Sequence, residues 1–165
     1  MQGNPGRGYR FYIGEPVYPF GHGLSYTTFT HVLLSSAAAT VDATGVVEYA
    51  EAATRLYNFR RDSKLASVVH TIDAAITNTG QRAGSHSVLG FAVPPAAGVD
   101  GAPLRSLIGF EKVWLEPGET ERITMAVTAH DLTLTRLDGG REAVMGRWTI
   151  EIGDAQCEIL LEGHR

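Results

Sequence analysis

Acid/base, nucleophilic and metal-assisted chemistry each leave a mark in residue type and spacing, and the chain can be searched for all three. Its closest carboxylates are Glu116, Glu119 and Glu121, set around Pro117-Gly118. Two carboxyl groups divide into acid and base only where burial or mutual repulsion drives their titrations apart. A Pro-Gly turn leaves both charges in water, so these three read as a solvated turn. The histidines, His22, His31, His70, His86, His130 and His164, are scattered, with no i, i+4 pair and no acidic partner at a ligand spacing. They read as satisfied or exposed side chains. His22, between two glycines in PFGHGLSY, is the exception, placed to reach a polar group across an interface. Ser25 lacks the G-x-S-x-G setting of an activated serine and reads as a turn hydroxyl. Gly3, Gly6 and Gly8 have the spacing of a phosphate loop, but neither a preceding strand nor a following helix is expected there. The single cysteine, Cys157, cannot form an intramolecular disulfide or a cysteine-based metal cluster, and is expected to be a small buried strand residue. No catalytic residue, no metal and no cofactor is therefore expected of this chain.

Aromatic residues are the remaining chemistry. Trp148 in GRWTIEI and Trp114 in KVWLEP both lie in alternating runs, where one face must be core. Burial is expected for Trp148, while Trp114, beside polar positions, is the candidate sugar contact. Tyr9 to Phe29 packs seven aromatic residues among Gly14, Pro16, Pro19, Gly21 and Gly23. Each proline removes a donor and each glycine loosens the backbone, so neither a long helix nor a long strand can form. An irregular ribbon is expected, and its rings need a surface to cover. Burying one large aromatic side chain is worth about 1.5–3 kcal/mol, which implies a neighbour.

Beyond the ribbon the pattern is that of strands. Thr30, Val32 and Leu34 alternate with His31, Leu33 and Ser35. From Ala37 to Ala66 the alternation lapses, and Val46, Val47, Ala50, Ala53, Leu56 and Tyr57 recur at helical spacing, predicting a short amphipathic helix or ordered insertion. Val68, His70, Ile72, Ala74 and Ile76 then share one face, NTGQRAG turns the chain, and Ser85 to Val93 returns. Pro94 and Pro95 end that strand. Leu104 to Leu115 follows with a bulge expected at Gly109. Turns at Pro117-Gly118 and Asp138-Gly139-Gly140 separate the alternating sets Ile123/Met125/Val127, Trp148/Ile150/Ile152 and Cys157/Ile159/Leu161. About seven short strands with turns between them predict an all-β, immunoglobulin-like antiparallel sandwich behind an irregular aromatic N-terminal leader. Those apolar sets pair with one another, so the core is expected to close without the leader.

At 165 residues one domain is expected, large enough to bury a core. Net charge is −4, from 18 acidic and 14 basic residues without blocks, which supports neither a nucleic-acid footprint nor a polybasic membrane patch. No apolar run is long enough to span a bilayer, and no secretory signal pattern opens the chain. Met1 running directly into QGNPGRGYR is expected to belong to a longer or divided protein.

Four stretches carry a resemblance. NPGRGYRFYIGEPVYPFGHGLSYTTF is similar to the segment that, in glycoside hydrolase family 3, leaves the second catalytic domain for a C-terminal fibronectin type III-like domain. HTIDAAITNTGQRAGSHSVLGFAVPP, GAPLRSLIGFEKVWLEPGETERITMAV and LDGGREAVMGRWTIEIGD resemble that domain in plant-type β-xylosidase / α-arabinofuranosidase members. The resemblance implies a leader at 1–29 and a fibronectin type III-like sandwich at 30–165, with an insertion at about 37–66. It implies that the catalytic carboxylates, about 5–5.5 Å apart in retaining enzymes, lie in upstream domains, leaving this chain inactive alone. Its partners would be those upstream glycoside hydrolase domains, in the same or a separate chain, with Tyr12, Tyr18, Phe20, His22 and Tyr26 as interdomain contacts. Polysaccharide is a further candidate partner, and nucleic acid and membrane are not. The parent family is extracellular or in the cell wall. A cysteine common in relatives near Ala129-His130 is missing here, so no disulfide carries over. The alternatives are an independent carbohydrate-binding module using exposed aromatics and a free protein-interaction domain.

Overall fold

The computed structural model describes residues 6–34, 38–55 and 66–163. One helical turn, α1 (Gly8–Phe11), opens an irregular ribbon that leads into β1 (Phe29–Leu33). Then come β2 (Ala39–Asp42), α2 (Thr44–Arg55), β3 (Val68–Asn78), β4 (Gly84–Val93), β5 (Ser106–Leu115) and β6 (Thr120–Thr128). A 3-10 turn (Ala129–Leu132) precedes β7 (Thr133–Thr135), β8 (Arg141–Ala143), β9 (Gly146–Ile152) and β10 (Ala155–Glu162). A three-stranded sheet in the order β1-β3-β6 faces a five-stranded sheet in the order β2-β10-β9-β4-β5, and β7 and β8 form a small hairpin.

The expected sandwich is present, with ten strands among the described residues. The additional ones are β2, β7 and β8, of four, three and three residues, too short for alternation to show. β2 also pairs in parallel with β10, an exception to the antiparallel expectation. Alternation dictates the core: Ile72, Ala74 and Ile76 of β3 and Ile123, Met125 and Val127 of β6 meet Val88, Trp148, Ile150 and Ile159 of the other sheet. α2 adds Val46 and Ala50 to the buried set. It confirms the helical spacing as far as Arg55, while Leu56 and Tyr57 fall outside the described residues.

Two local expectations are revised. Val68 does not share the buried face of Ile72, because a register irregularity between Val68 and His70 turns it outward, where it is exposed. A helical turn does follow Gly6, beginning at Gly8, though at four residues α1 is too short to cradle a phosphate. The bulge falls where expected: Gly90 pairs with Gly109 and Phe91 with Leu107, leaving Ile108 as the extra residue. At Pro117-Gly118, Glu119 N donates to Glu116 O at 3.0 Å and Gly118 has φ 79, a type II turn that wants proline and then glycine.

Candidate docking face and an inter-sheet histidine cluster

The ribbon crosses the outer face of the five-stranded sheet along β4. Tyr9 stacks on Phe20 with centroids 4.3 Å apart, and both rings meet Phe91 edge-on. Arg105 covers another side of Phe91, its guanidinium 4.3 Å from the ring centre and bonded to Glu151 at 3.0 Å. Phe91 points away from the core, yet it is only 5% exposed, because the leader covers it. Tyr9 also ties into β5, its hydroxyl accepting from Leu107 N at 3.2 Å, and Leu104 N donates to Arg10 O at 2.6 Å.

Further along, Gly21 passes so close to Leu89 that a methyl on its Cα would lie 2.5 Å from Leu89 Cδ1. A Cβ on Gly84 would lie 3.0 Å from Thr27 Cγ2 and 3.8 Å from Ser25 Oγ. Asn78 fastens the leader's end. It is fully buried, its Oδ1 accepts from Thr27 Oγ1 at 2.6 Å and Gly80 N at 3.0 Å, and its Nδ2 donates to Arg82 O and Leu115 O. A satisfied buried amide of this kind is costly to disturb.

The leader's other side faces outward. Every residue from Arg10 to Tyr26 is exposed, with Leu24 at 96% and Tyr26 at 91%. Of the predicted contacts, Tyr18 and His22 stack on each other at 4.9 Å, Tyr26 is almost wholly exposed, and Tyr12 lays its phenol ring against Gly14. Phe20 turns one side to Phe91 and leaves about half its surface uncovered. Beside the ribbon, β5 is the last strand of its sheet, and its outer face presents Phe110 at 66% and Trp114 at 63% exposure. Trp148 is buried, 1% exposed, with its Nε1 donating to Val144 O at 2.8 Å.

His31 and His86, far apart in sequence, meet between the sheets, and the exposed Asp154 of the β9–β10 turn reaches His31 from the rim. His31 of β1 bonds Asp154 through Nδ1 at 2.5 Å and His86 of β4 through Nε2 at 2.9 Å. Phe29 stacks on His86 at 4.6 Å. Burial, and then the neighbouring His31, push the His86 imidazole below its ordinary value. Two Nε2 atoms at this distance share one proton, so a second proton has no acceptor between them. The signal was present in the alternation: His31 and His86 both occupy inward positions of their strands. Scanning for local ligand spacing missed them.

The other candidates are structural. Glu116, Glu119 and Glu121 are exposed, and Glu119 caps its own turn by accepting from Glu116 N at 2.8 Å. A cavity of about 480 Å³ lies between α1, the 3-10 turn and the β7–β8 hairpin, lined in part by Tyr9, Arg10, Phe11, Asp131 and Arg141. Asp131 accepts from Thr128 N and Oγ1, and Arg141 donates to the carbonyls of His130 and Thr133. Those groups hold the loop. Burial raises the Cys157 thiol above its ordinary value, which opposes reactivity. Among the described residues no group of three His, Cys, Asp or Glu side chains is placed to hold a metal ion.

Residues 86–156 match the fibronectin type III-like domain family, and the two facing sheets agree: the chain carries a fibronectin type III-like domain. It is 36% identical over 169 residues to Beta-D-xylosidase 1 of Arabidopsis thaliana, a match covering 96% of this chain and 21% of that protein. Probable beta-glucosidase I of Aspergillus fumigatus is 36% identical over 159 residues, covering 94% of this chain and 16% of the relative. A solved GH3 exo-beta-xylosidase (XlnD), in complex with a xylobiose aziridine probe, superposes with a TM-score of 0.79 at 27% identity, over 98% of this chain and 20% of that one. The domain is therefore of the kind carried by family 3 glycoside hydrolases. The chain spans about a fifth of the length of these relatives.

Proposed function

We propose that this chain is the non-catalytic accessory domain of a family 3 glycoside hydrolase acting on xylosides or arabinosides, and that its leader fastens it to the catalytic domains. The supporting observation is the leader itself, anchored on one side at Phe91 and Asn78 and open on the other from Arg10 to Tyr26. A monomeric domain rarely leaves such a contiguous apolar surface in water. Tyr12, Tyr18, His22 and Tyr26 would make the interdomain contacts, and Phe20 would bridge the partner to Phe91. The parent would work outside the cell or in the cell wall. Acid, base and nucleophile come from the partner domains, and this domain supports them.

A carbohydrate-binding role is the second reading, favoured by the exposure of Trp114 alone. Assays separate the two. The isolated chain should release no nitrophenol from nitrophenyl xyloside, arabinofuranoside or glucoside above a buffer blank, and should not bind xylan, arabinan or cellulose in calorimetry. Turnover abolished by a substitution within this chain would overturn the accessory reading, and saturable binding lost in Trp114→Ala would put the carbohydrate module first.

A further inference from the structure

We propose that Phe110 and Trp114 on β5 extend the leader into one docking face that seats on the apolar surface of a second protein domain, an inference resting on the accessory-domain reading. Contiguity is the first argument. The ribbon follows β4 from Phe91 past Leu89 to Gly84. Across the strand pair, Leu89 lies opposite Phe110 and Ser85 opposite Trp114. The two exposed rings therefore flank the ribbon along its length.

The second argument is the edge. β5 ends the order of its sheet, and exposed edge strands with apolar side chains are ordinarily covered, charged or bulged. This one carries a bulge near Gly109, yet two large aromatic rings remain uncovered beyond it.

The third argument selects the occupant. Leu24, Val17 and Ile13 are exposed on the leader, and branched aliphatics make a poor lining for a sugar, whose hydroxyls need converging polar partners. Trp114 faces Ser85, Phe110 faces Leu89 and, between the two rings, Lys112 faces Ser87, so two short hydroxyls and one ammonium are the polar groups of this strip. The relatives matching the whole fold are about five times as long, so protein surface is available to cover this face.

Hydroxyl-radical footprinting reads each ring directly. The chain is compared alone and as a chimera replacing the matching region of the Arabidopsis xylosidase, with a parallel sample in which it is mixed in trans with that enzyme lacking the region. Burial at the centre of an interface should cut oxidation of Phe110 and Trp114 about fivefold, together with that of Tyr18 and Tyr26. Protection of the tyrosines without Phe110 and Trp114 overturns this inference and leaves the accessory reading standing. No protection of either set, in chimera and in trans, overturns both. Protection of Trp114 in the isolated chain by xylohexaose would make the occupant a sugar, and protection growing with the chain's own concentration would make it a second copy; each contradicts the proposal.

Discussion

Gly90 shows how narrowly single residues are fixed in this fold. A Cβ there would lie 1.9 Å from Met125 Sδ and 3.3 Å from Ile108 Cγ1, opposite Gly109 at the bulge. Gly90→Ala must push the buried Met125 aside, and overpacking of this kind costs about 1–3 kcal/mol. The expected outcome is a fall in thermal midpoint of several degrees with the strand content unchanged by circular dichroism; an unchanged midpoint would mean that Met125 repacks freely. Gly109 was readable from its place within an alternating run, whereas Gly90 becomes special only once β4 is laid against both β5 and the opposite sheet. Trp148 was legible because Ile150 and Ile152 continue its face. Trp114 was equally legible in principle, since Val113 and Leu115 are buried on either side of it, but its polar neighbours left its face unassigned.

At the scale of elements, alternation predicted the long strands and failed where the chain bends. Val68 was assigned to the wrong face because a bulge shifts register without any mark in residue type. β2, β7 and β8 hold three or four residues each, fewer than a period needs to declare itself. The seam between the sheets carries a pH dependence. His86 has its imidazole value lowered, so the native state holds fewer protons than the unfolded chain below the ordinary value of 6.5, and stability rises with pH there. Its contribution is fully present above that value and is lost as pH falls through the native one. Burial first, and then the neighbouring His31, disfavour the imidazolium form of His86, while Asp154 favours it. Chemical denaturation of the wild type from pH 7.5 to 5 should show falling stability, flattened in His86→Gln. Identical pH profiles for the two proteins would remove the cluster from the account.

For the whole molecule, the sandwich and its leader were both legible, and the contact between them was not. The apolar sets do pair across two sheets, as the sequence predicts. The leader is less separable than that pairing suggested, because it keeps Phe91 dry and shares Asn78 through Thr27. Only the folded chain shows which ring faces which way. Removing residues 1–24, while sparing Ser25 and Thr27, should uncover Phe91 and cost about 1–3 kcal/mol, yet leave a cooperative melt. The central claim is that the leader's outer side belongs to a partner this domain does not contain, and amide hydrogen exchange on the intact chain tests it most directly. The account predicts that amides from Ile13 to Tyr26 exchange far faster than those of the strands around Ile72 and Ile150. Leader amides as protected as those strands would contradict it, and would make the ribbon an integral part of this sandwich.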